Sequence, residues 1–421
     1  MMRIRDLAGA GAVVAALVCT TLPAQPASAA SSETPGVTAT TIRVGIPYVD
    51  VAAVKAVGVD ISWGSVPDAF NAVIANMNAH GGVDGRKIVP YLVAVNPTGT
   101  APAATACTQL TEDDTVFAAI APLEPTCYLQ HNVPVVASIY PSGSSPTAAR
   151  DFTTTPPQNA YDPLQLNVFD RQGVFKHKKV GIFGGTPSDQ TELGQVQSDL
   201  AKLHVDVVST ATDSAPQGDI AAENGQVTVI AQRFKSQGVT EVVAVGNGSS
   251  IWPEGLSAIQ STYNPPWVAT NESNFTGAVG GKYSPSYLSN VTTSSPLTPP
   301  AAIWSNAGTQ QCVHTIKKAY PSDEIRAYGP TVPESEATWM SVELACTDMA
   351  LFADIAKAAG KDLTVSSFVH AGYGLTNLML PGNNAPISFG PGRPYALGPV
   401  YMVHYDPSQQ EVVYATTSAT K

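Results

Sequence analysis

The sequence predicts an α/β protein with two doubly wound parallel-sheet units in one chain. Three observations carry that reading. Short apolar runs rich in β-branched residues alternate with segments of helical length, the alternation starts afresh near Asp162, and the last third adds helices and a hairpin without a third unit.

The first run, "TIRVGIPYV" (41 to 49), is followed by "SVPDAFNAVIANMNAHGG", in which Val66, Phe70, Val73, Ile74 and Met77 recur at spacings of three and four. That stripe is what a helix buries on one face. In "NAHGGVDGRKI" the glycines come after this helix, whereas a phosphate cradle puts them before a helix N-terminus. Gly81 and Gly82 therefore end the helix, and "VDG" turns the chain into the strand "KIVPYLVAV". A helix around "TACTQL" and the strands "VFAAIAP" and "VPVVAS" complete the first unit.

The second unit reads as helix "LQLNVFDRQGVF", strand "KKVGIFGG", helix "DQTELGQVQSDLAKL", strand "VDVVST", helix "ENGQVTVIAQRFKSQG", strand "TEVVAVGN", helix "GLSAIQSTY" and strand "PPWVATN". Two helical patterns then follow, "TQQCVHTIKKAY" and "ESEATWMSVELACTDMALFADIAKAAG", and "YMVHYD" and "EVVYAT" flank "PSQQ" as a hairpin. These late pieces must complete sheets already begun, so the chain crosses between units more than once. The Pro- and Ser-rich stretches "DFTTTPPQNAYDP" and "SSPLTPPA" suit the crossings.

Composition narrows the function classes. A chain of 421 residues with 44% hydrophobic and 13% charged side chains is globular and long enough for two domains. A formal charge of -11, with no dense Lys/Arg run, disfavours nucleic acid as a partner. Arg3 and Arg5 precede an apolar run from Leu7 to Leu22, and Ala27 and Ala29 give the small-x-small shape of a signal-peptidase site, so residues 1–29 read as a signal peptide of an exported protein. Cys19 offers a rival reading as a lipidated cysteine, against which Val18 stands where a small residue is wanted.

Cleavage leaves Cys107, Cys127, Cys312 and Cys346. In an exported chain an even set suggests two disulfides with three possible connectivities, and sequence neighbours are the expected partners. No Cys or His spacing suits a metal, and the seven histidines, His80, His131, His177, His204, His314, His370 and His404, show no i, i+4 pair. G-x-S-x-G, H-E-x-x-H, G-x-x-x-x-G-K-[ST] and a G-x-G-x-x-G at a strand-to-helix junction are all lacking, so neither an enzyme nor a cofactor protein is indicated. The sequons at Asn271, Asn274 and Asn290 read as incidental in a chain rich in Asn, Ser and Thr.

The opening "GVTATTIRVGI", the helix end "NAHGGVDGRKI", the early cysteine pair and the late "PISFGPGRPYALGPVYMVHYD" together resemble the branched-chain amino acid binding family of type I periplasmic solute-binding proteins, over nearly the whole exported chain. The resemblance implies two lobes joined by three crossovers, closing over a small ligand and docking onto an ABC transporter permease, with the chain acting as a monomer. The implied division is 40–158 plus 298–395 for lobe 1 and 159–297 plus 396–421 for lobe 2. A secreted sensor of the same fold is the alternative role.

Ligands of open α/β sheets bind beyond the carboxyl ends of the strands. In lobe 1 that names "SWG", "APLEPTCY" and "SIYPSGS", with Trp63, Glu124, Thr126, Ser138, Tyr140 and Ser142; in lobe 2 it names "GGTPSDQ", "GNGSSIWPEG" and "ATNESN", with Asp189, Asn247, Trp252, Asn271 and Glu272. By the resemblance, Trp63 and Trp252 cover the ligand from opposite lobes and Glu272 pairs with a ligand ammonium. The resemblance breaks where a carboxylate would be held, because Pro122, Leu123, Glu124 and Pro125 replace the hydroxyl residues of that turn, and Asp189 replaces a tyrosine-glycine pair. A cationic, neutral polar or aromatic solute thus fits as well as a branched amino acid.

Overall fold

The computed structural model describes residues 34–58, 60–97, 100–138, 149–185, 189–216, 219–257, 259–272, 288–327, 336, 338–408 and 411–417. Residues 1–29, expected to be a signal peptide, lie outside them with Cys19, and so do Tyr140, Ser142 and Asn274. No helix among the described residues is long and apolar enough to cross a membrane.

Strand β1 (Thr41–Val49) leads to helix α1 (Val51–Ala56), helix α2 (Val66–Ala79) and strand β2 (Lys87–Val95). Helix α2 begins as its sequence dictates: the Ser65 hydroxyl accepts the Asp68 N–H, and a proline occupies the first turn. It ends as read, with Gly81 and Gly82 at φ 97° and 64° and the Gly82 N–H on the Met77 carbonyl at 2.9 Å. The Asn78 side chain then clamps both main-chain groups of Ile88 at 2.8 Å, which fixes the entry into β2.

Helix α3 (Thr100–Thr108) runs into a π turn (Gln109–Asp113), followed by β3 (Ala118–Ile120), helix α4 (Pro125–Gln130), β4 (Val135–Ala137) and β5 (Asp151–Thr153). Helix α5 (Gln158–Arg171) opens the second unit: β6 (Lys179–Gly184), α6 (Gln190–Lys202), β7 (Asp206–Thr212), α7 (Ile220–Ser236), β8 (Glu241–Val245), α8 (Gly248–Leu256), β9 (Trp267–Ala269) and β10 (Val291–Ser295). Helices at Ala307–Ala319 and Met349–Ala359 cover the first sheet, and β11 (Ser388–Gly390), β12 (Arg393–Leu397), β13 (Val400–Asp406) and β14 (Glu411–Thr417) close the chain.

These strands form two seven-stranded sheets, β11-β12-β5-β4-β3-β1-β2 and β14-β13-β10-β9-β8-β6-β7. Strands β1 to β5 pair in parallel, as do β6 to β10, while β11 with β12, and β13 with both β10 and β14, are antiparallel. The late hairpin thus completes the second sheet, and the chain passes between sheets at 154–157, 296–299 and 398–399. The two disulfides are Cys107–Cys127 and Cys312–Cys346, with Cα atoms 6.3 and 6.1 Å apart.

Three local expectations are corrected. The helix expected at "GLSAIQSTY" lies earlier, at Gly248–Leu256, and continues through Pro253. The expected crossing "DFTTTPPQNAYDP" contains strand β5 and the first turns of α5, with Pro163 inside the helix. Each proline is the sixth residue of its helix, past the first turn, so each removes one internal i→i−4 hydrogen bond that the helix does without. The polar run "VTTSS" forms the buried strand β10, which the apolar pattern did not reveal.

Candidate functional site

The two sheets reverse their strand order at β1 and β6: β2 and β3 flank β1 on opposite sides, and β7 and β8 flank β6. Beyond the carboxyl ends of the strands at such switch points, loops and helix N-termini can surround a ligand.

In the first lobe Trp63 is partly buried against Val49, Val54 and Ile61, in a cluster shared with Leu123 from the loop after β3. Its carbonyl accepts the Ser341 N–H at 2.8 Å, and Gly64 beside it takes φ 72°. Glu124 and Thr126 are exposed at the start of α4, where the Glu124 side chain makes no capping bond. Ser138 follows β4 and is buried, with its carbonyl accepting the Thr154 and Thr155 hydroxyls at 2.7 and 2.9 Å.

The second lobe concentrates carboxyl groups. Asp189 is buried ahead of α6 and accepts the Gly185 N–H at 2.9 Å. Thr270, at the end of β9, links three segments. Its hydroxyl accepts the Gly246 N–H and donates to Glu192 Oε1, both at 3.1 Å, and its carbonyl accepts the Gln158 and Gln165 amides at 2.9 and 3.0 Å. The same two amides donate to Asp162 Oδ1 at 2.7 and 2.8 Å. Glu272 accepts the Tyr414 hydroxyl at 2.8 Å, and the Asn271 N–H reaches the Ser249 hydroxyl at 3.5 Å. Asn247 is exposed just ahead of α8.

The structure therefore gathers Asp189, Asn271 and Glu272 at the strand ends with Asp162, Glu192, Thr270 and Tyr414, which the sequence analysis did not single out. A carboxylate three residues into the helix after a strand, as in "DQTE", was the available signal for Glu192. Trp252 is a correction: it is fully buried in the second-lobe core, with ring centroids 5.4 Å from Phe183 and 5.9 Å from Phe234, and it faces no cleft.

Burial shapes the charge of this cluster. It pushes Asp162 up to about 8, helped by the charge of Glu192 and opposed by the two glutamine amides. It pushes Glu192 up to about 7, with Asp189 acting in the same direction and the Thr270 hydroxyl opposing. Glu272 is raised by burial and lowered by Tyr414 and Ser295. Such a cluster holds protons when alone and favours a cation brought against it.

A pH dependence follows. Asp162 and Glu192 keep their protons in the folded chain at a pH where the unfolded chain has released them, so stability is fully present below about pH 4 for these groups and is lost as pH rises toward 8. Thermal unfolding from pH 4.5 to 8.5 should show a falling Tm, with a shallower slope in Asp162→Asn, whose amide oxygen still accepts from both glutamines. A flat or rising profile would contradict the assignment.

No protein-family model and no curated protein sequence matches the chain. Solved structures do. A fatty acid ABC transporter substrate-binding protein from Thermomonospora curvata aligns over 92% of this chain and 94% of its own at 15% identity, with a TM-score of 0.57. An ABC transporter substrate-binding protein from Desulfitobacterium hafniense in complex with Leu aligns over 89% and 100% at 13% identity and a TM-score of 0.58. An R. palustris solute-binding protein in complex with benzoate aligns over 89% and 96% at 13% identity and a TM-score of 0.54.

Proposed function

From the two-lobed type I periplasmic-binding-protein fold that this chain has, we propose that it is an exported solute-binding protein that captures a small molecule between its lobes and delivers it to an ABC-type importer. The observation that carries the ligand class is the set of carboxyl groups at the second-lobe strand ends, Glu272 foremost, with Asp189 and Glu192 beside it. A ligand with a positively charged nitrogen complements the negative charge these carboxyl groups carry, and each charge-assisted hydrogen bond to it is shorter and stronger than a neutral one. Trp63 offers the apolar face for the rest of the ligand, with Leu123 beside it. Glu124, exposed in the first-lobe loop after β3, would disfavour an anionic head group there.

The reading is tested with a thermal-shift screen of amines, amino acids, benzoates and fatty acids, paired with native mass spectrometry for a co-purified solute. Amine-bearing compounds should raise the Tm, a stabilisation of about 2.7 kcal/mol at one hundred times Kd. Stabilisation by carboxylates alone would reject the cationic class, and no stabilisation or bound solute at all would count against the capture role.

A further inference from the structure

The three crossings meet around a cavity of about 40 Å³, walled by Thr154–Pro156, Pro296–Thr298 and Gly398–Pro399. Hinge segments move by changing a few φ/ψ angles, and a gap at their meeting point leaves them room to do so in an otherwise close-packed interior. The third crossing leads into Val400, which is buried against Tyr161 and Val168. The first and second are held instead by polar side chains, and both sets lead to acids of the second lobe.

The second crossing starts where β10 ends, at Ser295, which is 1% exposed. The Ser295 hydroxyl accepts the Leu297 N–H at 3.1 Å and lies in hydrogen-bond contact with the Glu272 carboxyl group. Leu297 brings its own proton to that contact, so the single hydroxyl proton of Ser295 is the one that goes to Glu272. Glu272 is therefore one side chain away from the main chain of the crossing, and Leu297 is part of the cavity wall. The first crossing has a comparable link. Gln158 opens α5 directly after Pro157 and donates to the Thr270 carbonyl at 2.9 Å, while the Thr270 hydroxyl donates to Glu192 at 3.1 Å. Buried links of this kind cost much when one partner is lost, so they specify a single arrangement of the segments they join.

We propose that Ser295 is a positioning residue for lobe closure: its hydroxyl ties the second crossing to the carboxyl group of Glu272, so that a ligand on that carboxyl group is felt at the hinge. With Glu272 as the ligand's charge partner, on which this role rests, a bound cation draws on the same oxygens that hold Ser295. A ligand shifts a hinge only by interacting differently with its two states, and competition for one carboxyl group supplies that difference. Periodicity gives no hint of it, because Ser295 sits at the end of the polar strand "VTTSS" and meets its partner across 23 residues of chain.

Spin labels at Ala75→Cys on α2 and Ser198→Cys on α6, both exposed and one in each lobe, report the lobe-to-lobe distance distribution by double electron–electron resonance. The background is Cys19→Ser, since the other four cysteines are held in disulfides. Without any added solute, Ser295→Ala and Glu272→Leu should each broaden the distribution, and the double variant should broaden it no further than either alone, because both break one link. Thr293→Val removes a buried hydroxyl of the same strand, bonded to the Ala269 carbonyl at 2.7 Å and to no crossing, and should leave the distribution as it was. An unchanged distribution in Ser295→Ala or Glu272→Leu overturns the proposal, as do effects that add in the double variant or an equal broadening in Thr293→Val. Should a single variant fail to fold, Glu272→Gln decides it, with a smaller broadening in favour and an unchanged distribution against. The link is read in the empty protein, so its failure is distinct from failure of the capture role, which the thermal-shift screen decides.

Discussion

Trp252→Ala should destabilise the protein by about 3–5 kcal/mol, the range for deleting a large buried aromatic. Trp252 is fully buried, packs on Phe183 of β6 and Phe234 of α7, and is the fifth residue of α8, a helix that lies tightly on α7. The approach is closest at Gly255, where an added Cβ would fall 2.3 Å from Val227 Cβ, so the lobe has little freedom to collapse into the void. Trp252→Phe should cost less, since the indole N–H has no hydrogen-bond partner to lose. Chemical denaturation measures both. A loss below about 1 kcal/mol for the alanine variant would return Trp252 to the cleft, where truncation weakens ligand binding and spares the fold.

That residue shows where sequence reading reaches and where it stops. Strand β8 is legible because its apolar residues are buried on both faces of a parallel sheet and so form the unbroken run "VVAV". Strand β10 is just as buried but is written "VTTSS", because its side chains face polar partners. Thr293 donates to the Ala269 carbonyl at 2.7 Å, and Ser294 accepts from Tyr161 at 2.9 Å while donating to Gln165 at 3.0 Å. Burial there is decided by hydrogen bonds to segments 24 to 133 residues away, which periodicity does not encode.

The candidate site divides along the same line. Loops between strands and helices follow from the alternation alone, and Trp63, Asp189 and Glu272 do lie in such loops. Glu192, Asp162 and the glutamines that join them to Thr270 come from helices whose register against the sheet only the fold supplies. Trp252 falls in a loop if the helix starts at Gly255, as "GLSAIQSTY" suggests, whereas the helix spans Gly248–Leu256 and carries Trp252 into the core. The cysteine pairing was legible because sequence neighbours were the shortest loops available, with separations of 20 and 34.

Glu272→Gln should weaken binding of a cationic ligand thirty- to a thousandfold, about 2–4 kcal/mol, while leaving the melting temperature of the ligand-free protein nearly unchanged. The two halves have separate causes. In the empty protein Glu272 accepts the Tyr414 hydroxyl at 2.8 Å and lies in hydrogen-bond contact with Ser295; a glutamine carbonyl oxygen also accepts from Tyr414, and its amide can donate to the Ser295 hydroxyl. Burial already raises its pKa, so removing the charge relieves a desolvation cost and does not break an ion pair. With ligand bound, the closed lobes would exclude water and leave the ligand nitrogen facing a neutral amide, and truncating one side of a desolvated charge pair typically costs 2–5 kcal/mol. Isothermal titration with the best amine from the solute screen separates the effects. Equal affinity in the variant would remove Glu272 from the site, whereas a large fall in the Tm of the empty protein would make it a structural anchor for Tyr414. If affinity falls and the Tm holds, Glu272 is the residue that selects the ligand's charge.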